Sequence, residues 1–233
     1  MTFEQLNQKL TELEILLPSE TIEKFKIYSS LLCEWNEKIN LTSILNEEEI
    51  VEKHFLDCLL PGQVFAFSKR TNLCDLGTGA GFPGMVLAIA YPNLKVTLVD
   101  STAKKFKFLE EVKSACNVKN VSFHIGRGEE MKSFKEHFDI VTARSFSALP
   151  NILELGLPLC KIGGTLVAYK GEKGKEELKG SERALDKLGG RLLNLQEASL
   201  PSGDKRINLL FKKEKKSPSR YPRTWGEIVA HPL

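Results

Sequence analysis

Apolar side chains recur every three or four residues over roughly the first sixty positions of the chain, which predicts a series of helices. The apolar face of the first helix consists of Phe3, Leu6, Leu10, Leu13 and Leu17. Thr2 with Gln5 predicts a capping box at its start, and Pro18 predicts its end. Ser19 is a candidate cap for a second helix, and Asn46 for a third.

From residue 72 onwards the pattern changes to short apolar runs separated by helical patterns. The runs that predict strands are Asn72–Leu76, Lys95–Val99, Val121–Ile125, Phe138–Ala143, Thr165–Tyr169, Arg191–Gln196 and Ile207–Phe211. The predicted helices between them are Met85–Ala90, Thr102–Cys116, Leu149–Leu159 and Glu172–Leu188. This alternation predicts a Rossmann-like α/β fold, and the turn at Pro201–Asp204 predicts a closing hairpin with an antiparallel last strand.

These patterns divide the chain into three segments. Residues 1–67 are predicted to form a helical extension packed on the core, residues 68–213 the α/β domain, and residues 214–233 a basic C-terminal tail. Lys212–Arg223 contains six Lys or Arg against the single acid Glu214, which is typical of a solvated tail or of phosphate contacts. At 233 residues we expect one structural unit overall.

The densest chemical signal is the segment Asn72–Gly84, N-L-C-D-L-G-T-G-A-G-F-P-G. A strand, a glycine-rich loop and a helix in this order form the nucleotide-binding corner of a doubly wound sheet. Gly79–Gly84 matches G-x-G-x-x-G, which indicates a dinucleotide, whereas Asp75-x-Gly77-x-Gly79 matches the D/E-x-G-x-G loop that binds S-adenosylmethionine (SAM). An acid beside the loop would repel a pyrophosphate and suits the sulfonium and amino group of SAM, so we favour SAM. A glycine turn without a ligand is the plain alternative.

Three later strand ends carry candidate ligand contacts. Asp100 ends the second strand, where a carboxylate accepts both ribose hydroxyls of an adenosine or merely caps the next helix. Gly126–Glu130 follows the third strand and offers backbone groups to an adenine edge, unless it is an ordinary acidic turn. Arg144, followed by Ser145 and Phe146, either faces the reaction centre or is a surface charge at a strand end.

His54 is a further candidate, because it lies on the apolar side of the third predicted helix with Asp57 three residues later. Two interpretations stay open. It is either a buried histidine satisfied by a hydrogen bond or a residue of the substrate cleft.

Composition sets limits on the class of protein. A hydrophobic content of 42% and a charged content of 27% are ordinary for a soluble protein, and a net charge of +3 does not by itself indicate nucleic acid. Five cysteines without a C-x-x-C pair indicate a reduced, cytoplasmic protein, and we expect no metal centre among the cysteines and the four histidines. No signal peptide or long apolar run predicts a membrane segment.

Taken together, the motifs resemble the bacterial glucose-inhibited division protein B family, SAM-dependent 7-methylguanosine methyltransferases of small-subunit ribosomal RNA. The matching segments are N-L-T at Asn40–Thr42, H-F-L-D-C at His54–Cys58, D-L-G-T-G-A-G-F-P-G at Asp75–Gly84, L-V-D-S at Leu98–Ser101, K-K-x-x-F-L at Lys104–Leu109, R-G-E-E at Arg127–Glu130, T-A-R at Thr142–Arg144, Y-K-G at Tyr169–Gly171 and R-Y-P-R at Arg220–Arg223. They span nearly the whole chain in order, so their combination is far more specific than any one of them.

The resemblance implies a class I SAM-dependent methyltransferase sheet with an N-terminal helical extension. It implies SAM as the cofactor, bound by Gly77, Phe82, Gly128, Glu129 and Arg144, with Asp100 as the ribose carboxylate. Lys170 resembles a second basic residue of the cleft, so Arg144 and Lys170 are the candidate catalytic residues. The implied partner is 16S ribosomal RNA or the small-subunit particle, and we expect a monomer. At Thr224–Leu233 the sequence departs from the family, which often has a more basic run there.

The expected chemistry is attack of guanine N7 on the methyl group of SAM. N7 carries a lone pair at neutral pH, so no general base is required and the enzyme must chiefly position the acceptor. The segment Arg144–Ala148 lacks the D/N-P-P-F/Y word of enzymes that methylate exocyclic amines, and no cysteine nucleophile follows the relevant strands. The alternatives are a SAM-dependent enzyme acting on a small molecule and a non-catalytic regulator that binds an adenine nucleotide.

Overall fold

We describe a computed structural model in which residues 1–69, 72–145 and 147–233 are defined. Within those ranges seven strands form one sheet in the order β3-β2-β1-β4-β5-β7-β6. The strands are β1 Asn72–Leu76, β2 Lys95–Asp100, β3 Val121–Ile125, β4 Phe138–Arg144, β5 Cys160–Lys170, β6 Gly190–Ser199 and β7 Lys205–Lys213. The predicted α/β alternation is therefore confirmed.

Strands β1 to β5 pair in parallel, and β7 runs antiparallel between β5 and β6. The predicted hairpin and antiparallel last strand are thus confirmed. Strand β5 begins five residues earlier than the predicted Thr165, because Gly163 and Gly164 lie within the strand rather than in a turn before it. A Cβ on Gly164 would lie 2.9 Å from the carbonyl oxygen of Lys161, so the close backbone approach here requires glycine.

The helices follow the predicted order with some changed boundaries. They are α1 Phe3–Glu12, α2 Thr21–Asn36, α3 Glu47–Ile50, α4 Asp57–Leu59, α5 Gly84–Ala90, α6 Ala103–Ala115, α7 Leu149–Gly156, α8 Gly174–Lys179, α9 Glu182–Leu188 and α10 Trp225–Ala230. The capping box of Thr2 and Gln5 and the Asn46 cap are present. The Ser19 cap is wrong, since α2 begins at Thr21 without a side-chain cap. The predicted helix Glu172–Leu188 is two helices, α8 and α9.

The sheet separates two hydrophobic clusters, as the alternation of side chains along the strands requires. The helices of the N-terminal third, with α5 and α6, pack on one face, where Phe25 and Phe55 stack with ring centroids 4.6 Å apart. Helices α7, α9 and α10 cover the other face. Leu73 belongs to the first cluster and its neighbour Cys74 to the second. The division of the chain at residues 67 and 213 stays a prediction.

Between α3 and α4 the chain forms a wide π-helical turn, Val51–Leu56. The π-helical geometry, with hydrogen bonds between residues five apart, is rare and is frequently found at functional sites. This turn carries His54, and Asp57 follows it. Both are buried, with 7% and 4% of their surface exposed.

The last thirteen residues form no free basic tail. Tyr221 is 1% exposed and Ile228 is fully buried. The side chain of Arg223 donates two hydrogen bonds to the buried carboxylate of Glu154 in α7, from Nε to Oε1 (2.7 Å) and from Nη2 to Oε2 (2.6 Å). Lys213 is also buried, and its ammonium donates to the carbonyl oxygen of Leu188 (2.7 Å). Half of the basic residues assigned to phosphate contacts, Lys212, Lys213 and Arg223, therefore bind the protein itself.

None of the helices within residues 1–69, 72–145 and 147–233 combines the length and the apolar content that a membrane crossing requires.

The Arg223–Glu154 pair gives a prediction for stability. Arg223→Ala would leave the Glu154 carboxylate, whose side chain is 1% exposed, without its cation. We expect the free energy of unfolding to fall by about 3–5 kcal/mol, as is typical when one partner of a buried pair is removed. Chemical denaturation measures the change. The matched control is Lys215→Ala, an exposed position in the same segment, where we expect less than about 0.5 kcal/mol. Equal stability of the two variants would contradict the anchoring role of the pair.

Candidate cofactor and acceptor site

A cavity of about 510 Å³ opens at the carboxyl ends of the parallel strands, where ligands of open α/β sheets bind. Its lining includes all six residues predicted to bind the cofactor, namely Gly77, Phe82, Asp100, Gly128, Glu129 and Arg144. The structure thus brings together residues from four separate segments of the sequence. Its volume lies within the range of small-molecule sites, roughly 300–1,000 Å³. We call it the cofactor cavity.

The glycine-rich loop between β1 and α5 forms one wall of the cofactor cavity. Gly77, Gly79 and Gly81 have φ angles of 66°, 58° and 96°, the left-handed region that favours glycine. The fully buried Tyr28 of α2 donates its hydroxyl hydrogen to the carbonyl oxygen of Ala80. The N-terminal helices therefore hold the loop in place in addition to covering the sheet.

Asp75 does not face the cofactor cavity, which corrects the argument that its charge selects SAM. It is fully buried beneath the loop. One carboxylate oxygen accepts the N–H of Gly84 (2.9 Å) and the other accepts the hydroxyl of Thr142 (2.7 Å). Burial raises the pKa of Asp75 to about 6. The acid of the D-x-G-x-G motif is therefore a structural group that ties the loop and the start of α5 to β4.

Asp100 does face the cavity, at the end of β2. Its Oδ2 accepts the N–H of Gly79 (3.0 Å) and the ammonium of Lys105 (2.9 Å), and its Oδ1 accepts the N–H of Thr102 (2.8 Å). Burial opposes ionisation, but Lys105 and the Thr102 N–H outweigh it and lower the pKa of Asp100. The carboxylate is thus charged and fixed at the mouth of the loop. The interpretation of Asp100 as the cap of α6 is wrong, because the N-cap residue is Thr102 and α6 has no side-chain cap.

The turn after β3 closes the far side of the cofactor cavity. Gly128–Glu130 forms a short 3-10 helix, and the side chain of Glu129 is only 12% exposed. A Cβ on Gly128 would lie 3.3 Å from Leu76, so the turn packs directly on the end of β1. Gly126 and Arg127 also line the cavity.

A second cavity of about 450 Å³ shares His54, Arg144 and Ser145 with the first. We call it the acceptor cavity. The other charged residues of its lining are Lys53, Asp57, Lys170, Asp204 and Arg206. Four basic side chains face two carboxylates there, so the cavity suits an anionic or oxygen-rich ligand.

Arg144, at the end of β4, separates the two cavities. Its Nη1 donates to the carbonyl oxygen of Lys53 (3.0 Å) and to Asp57 Oδ2 (2.9 Å), and its guanidinium lies 5.1 Å from the ring centroid of Phe82. The other oxygen of Asp57 accepts Nε of Arg206 from β7 (3.0 Å). The side chain of Arg144 is 11% exposed, so the interpretation as a surface charge is wrong. Asp57 instead joins two arginines from distant strands.

His54 is a buried, hydrogen-bonded histidine, which confirms the first interpretation. It also lines both cavities, and its place in a substrate cleft stays a prediction. Its ring stacks on Phe82, with centroids 4.3 Å apart. Its Nδ1 faces Arg144 Nη2 (3.1 Å), which can only donate, so Nδ1 is unprotonated. Nε2 then carries the hydrogen and donates to Thr42 Oγ1 (3.0 Å). Burial and the charge of Arg144 lower the pKa of His54 to about 3, and the imidazole is neutral at physiological pH.

Lys170, at the end of β5, lines the acceptor cavity and not the cofactor cavity. Its ammonium donates to the carbonyl oxygen of Ser147 (2.9 Å) and pairs with Glu177 of α8 (2.8 Å). Glu177 also accepts the N–H of Leu149 at the start of α7 (2.7 Å). Lys170 therefore fixes the segment after β4, in which Phe146 lies outside the described residues.

Sequence reasoning missed several residues of these cavities, among them Thr42, Lys105, Trp225 and Arg206. Thr42 and Lys105 lie within the segments Asn40–Thr42 and Lys104–Leu109, which resemble the family, and this resemblance was the only signal for them in the sequence. Arg206 belongs to none of the motifs named above. Trp225 was assigned to the C-terminal tail. Among the described residues no group of three His, Cys, Asp or Glu side chains is arranged to hold a metal ion.

The sheet order and the cavity at its carboxyl edge define a class I SAM-dependent methyltransferase fold. Solved structures of that class are similar. A Bacillus subtilis protein, YcgJ, matches with a TM-score of 0.55 at 13% identity, over 70% of this chain and 100% of that one. A ribosomal protein L11 methylase from Lactobacillus delbrueckii matches with a TM-score of 0.54 at 15% identity, over 70% and 79%. At such identities the likeness shows the fold alone.

Sequence comparison is more specific. The family model described as rRNA small subunit methyltransferase G matches residues 21–208. Proteins named ribosomal RNA small subunit methyltransferase G are 42% identical in Bacillus cereus strain B4264 and 41% identical in Bacillus thuringiensis strain Al Hakam, over 97% of this chain and 96% of theirs. The chain belongs to the rRNA small subunit methyltransferase G family, which confirms the resemblance seen in its motifs.

The neutral His54 gives a prediction for the pH dependence of stability. Its pKa is about 3 when folded and about 6.5 when unfolded, so between these values the unfolded chain binds the extra proton. Acidification in that window therefore favours unfolding. Relative to His54→Asn, wild-type protein should lose about 1.4 kcal/mol more stability for each pH unit from pH 6 to pH 4. Denaturant titrations at several pH values measure both proteins. Parallel stability curves would show that His54 titrates normally.

Proposed function

We propose that this protein transfers the methyl group of SAM to N7 of a guanine in 16S ribosomal RNA. One observation carries the proposal: the cofactor cavity and a basic acceptor cavity meet at Arg144 and His54. A methyl donor in one cavity and an acceptor base in the other would share that boundary. Membership of the family supports the RNA substrate.

The cofactor cavity offers each part of SAM a suitable group. Asp100 is a charged acceptor for the ribose hydroxyls, and ribose binding would compete with its contact to Lys105. Gly77 and Gly79 expose backbone to the amino-acid part, and the Gly128–Glu130 turn lies where the adenine would reach. SAM would supply the electrophilic methyl, while the protein orients it. With Asp75 turned away, the choice of SAM over a dinucleotide rests on the family.

The acceptor cavity fits a guanine nucleotide. Guanine presents O6 and N7 as acceptors on one edge, and arginine and lysine are its usual partners. Arg144 and Lys170 are held in fixed positions by Asp57 and Glu177, and we propose them as the residues that position the base. Lys53 and Arg206, at the same cavity, are placed to contact the phosphate backbone.

His54 and Asp57, the two buried candidates for a general base in the lining of the acceptor cavity, already have partners. The other carboxylate of that lining, Asp204, is 47% exposed and lies 3.9 Å from both Lys53 and Arg206. Both ring nitrogens of His54 are engaged, and both oxygens of Asp57 accept from arginines. Guanine N7 needs no deprotonation, so the site suits this acceptor better than a ribose hydroxyl, whose proton must leave. The catalytic contribution is then alignment of N7 with the methyl group and exclusion of water.

We further propose that the protein acts in the cytoplasm as a monomer, on free 16S RNA or on the small-subunit particle. The basic residues available for RNA are part of two predicted sets, the run Lys212–Arg223 and the cluster Lys104, Lys105 and Lys107. Lys215, Lys216 and Arg220 are exposed, as are Lys104 and Lys107 at the start of α6. Lys104 and Lys107 lie at the same sheet edge as the cofactor cavity, and we favour them as RNA contacts.

The ribose assignment predicts the effect of Asp100→Ala on SAM affinity. Loss of two charge-assisted hydrogen bonds should cost about 2–4 kcal/mol, so the Kd should rise roughly 30- to 900-fold. Isothermal titration calorimetry measures it, and Glu110→Ala, an exposed acid on α6, is the control. Asp100→Asn, which keeps one acceptor oxygen, should be intermediate. A folded Asp100→Ala variant with wild-type affinity would refute the assignment.

The nature of the acceptor predicts the product and the pH dependence of the rate. Ribosomal RNA from a strain lacking this protein, free or assembled, should gain 7-methylguanosine, which nuclease digestion and mass spectrometry detect. With SAM and RNA saturating, single-turnover rates should show no acidic limb from about pH 6 to 9.

A tenfold fall in rate per pH unit below a single pKa, with the fold intact, would reveal an essential base. A methyl group found on ribose, or on another base atom, would overturn the N7 assignment.

A further inference from the structure

The C-terminal segment places an indole ring in the wall of the cofactor cavity. Trp225, the first residue of α10, lines that cavity, and the described lining of the acceptor cavity does not include it. The ring is half-buried and packs against the α7-side cluster. That cluster contains Leu76 and Val99, which also line the cofactor cavity.

The position of Trp225 is fixed from both sides. Two residues before Trp225, Arg223 is bound to the buried Glu154. Thr224 and Glu227 form a capping box at the start of α10, and Ile228 is fully buried in the same cluster. A side chain between such anchors is pre-organised, so contact with a ligand would cost little additional entropy.

The packing of helices indicates which part of the cavity the ring faces. Helix α10 packs on α7, and α7 packs on the Gly128–Glu130 turn. That turn is the part of the cavity assigned to adenine, whereas Asp100 is assigned to the ribose and Gly77 to the amino-acid part. Trp225 and the turn assigned to adenine therefore border the same helix, α7.

We propose that Trp225 is a cofactor-binding residue that packs its indole against the adenine of SAM, which makes α10 part of the cofactor site. An aromatic ring suits this task because stacking on a purine needs no particular hydrogen-bond pattern. The inference rests on the proposed cofactor site. It gives a role to the segment Thr224–Leu233, where this sequence lacks the more basic run that the family often has.

Intrinsic fluorescence tests the contact, since the chain has only two tryptophans. The other, Trp35, donates Nε1–H to Glu111 and does not belong to the cavity lining. In Trp35→Phe protein the emission comes from Trp225 alone. Saturation with S-adenosylhomocysteine or with adenosine should change that emission, whereas methionine should not. No change with either nucleoside, or a change with methionine alone, would overturn the placement.

Affinity provides the second test. Trp225→Ala should raise the Kd for S-adenosylhomocysteine and for adenosine by the same factor, roughly 5- to 150-fold, the range for loss of base–aromatic stacking. Trp225→Phe should retain most of the affinity. Trp225→Leu, which keeps apolar volume without an aromatic face, should behave like Trp225→Ala. Thermal unfolding of each variant separates lost affinity from lost fold.

The outcomes distinguish this inference from the proposed function. Wild-type protein that binds S-adenosylhomocysteine and methylates RNA, with Trp225→Leu unchanged in affinity, would refute the role of Trp225 alone. Reduced RNA affinity of Trp225→Leu at unchanged cofactor affinity would also refute it and assign the indole to the acceptor. Wild-type protein that binds no S-adenosylhomocysteine would refute the cofactor site itself.

Discussion

A single buried carboxylate, Asp75, links the two halves of the site. It lies under the glycine-rich loop and holds the N–H of Gly84 and the hydroxyl of Thr142. Burial without a directly bonded cation is costly, which is why its pKa rises to about 6. The arrangement fixes the loop against β4, and two residues beyond Thr142 the same strand ends in Arg144. The hydrogen bonds of Asp75 therefore help to position both the glycine-rich loop, which lines the cofactor cavity, and Arg144, which separates the two cavities.

The boundary itself depends on Asp57, which joins three parts of the chain. It accepts from Arg144 of β4 and from Arg206 of β7, and it is presented by the turn that also carries His54. Two cations so close would repel each other without the shared carboxylate. Because the desolvation of such a group is expensive, a buried pair of this kind adds little net stability, and what it supplies here is fixed geometry. The N-terminal helices thus supply part of the site, in addition to covering the sheet.

The sequence predicted the strands, the alternation of strands and helices, and six of the residues that line the cofactor cavity, because these follow from local periodicity and from residues at strand ends. It failed where the outcome depended on long-range packing. Asp75 lies within β1, as the predicted strand had it, and its side chain points to a face of the sheet instead of towards the edge where ligands bind, so the argument from its charge was wrong. Arg223 finds Glu154 across 69 positions of sequence, and a run of basic residues contains no sign of such a partner. Trp225 was missed for the same reason.

The basic groups at the acceptor cavity are held by protein partners before any ligand binds, and each keeps further N–H donors. Arg144, Lys170 and Arg206 have carboxylate partners, and the two nitrogens of His54 have theirs. Groups held in this way reorganise little when charge moves during a reaction, and such pre-organisation is a principal source of catalytic electrostatics. They are correspondingly poor proton acceptors. A site of this kind favours a nucleophile that needs positioning and no activation, and the N7 lone pair of guanine has that property. The arrangement of charges therefore supports the same acceptor that family membership indicates, on independent physical grounds.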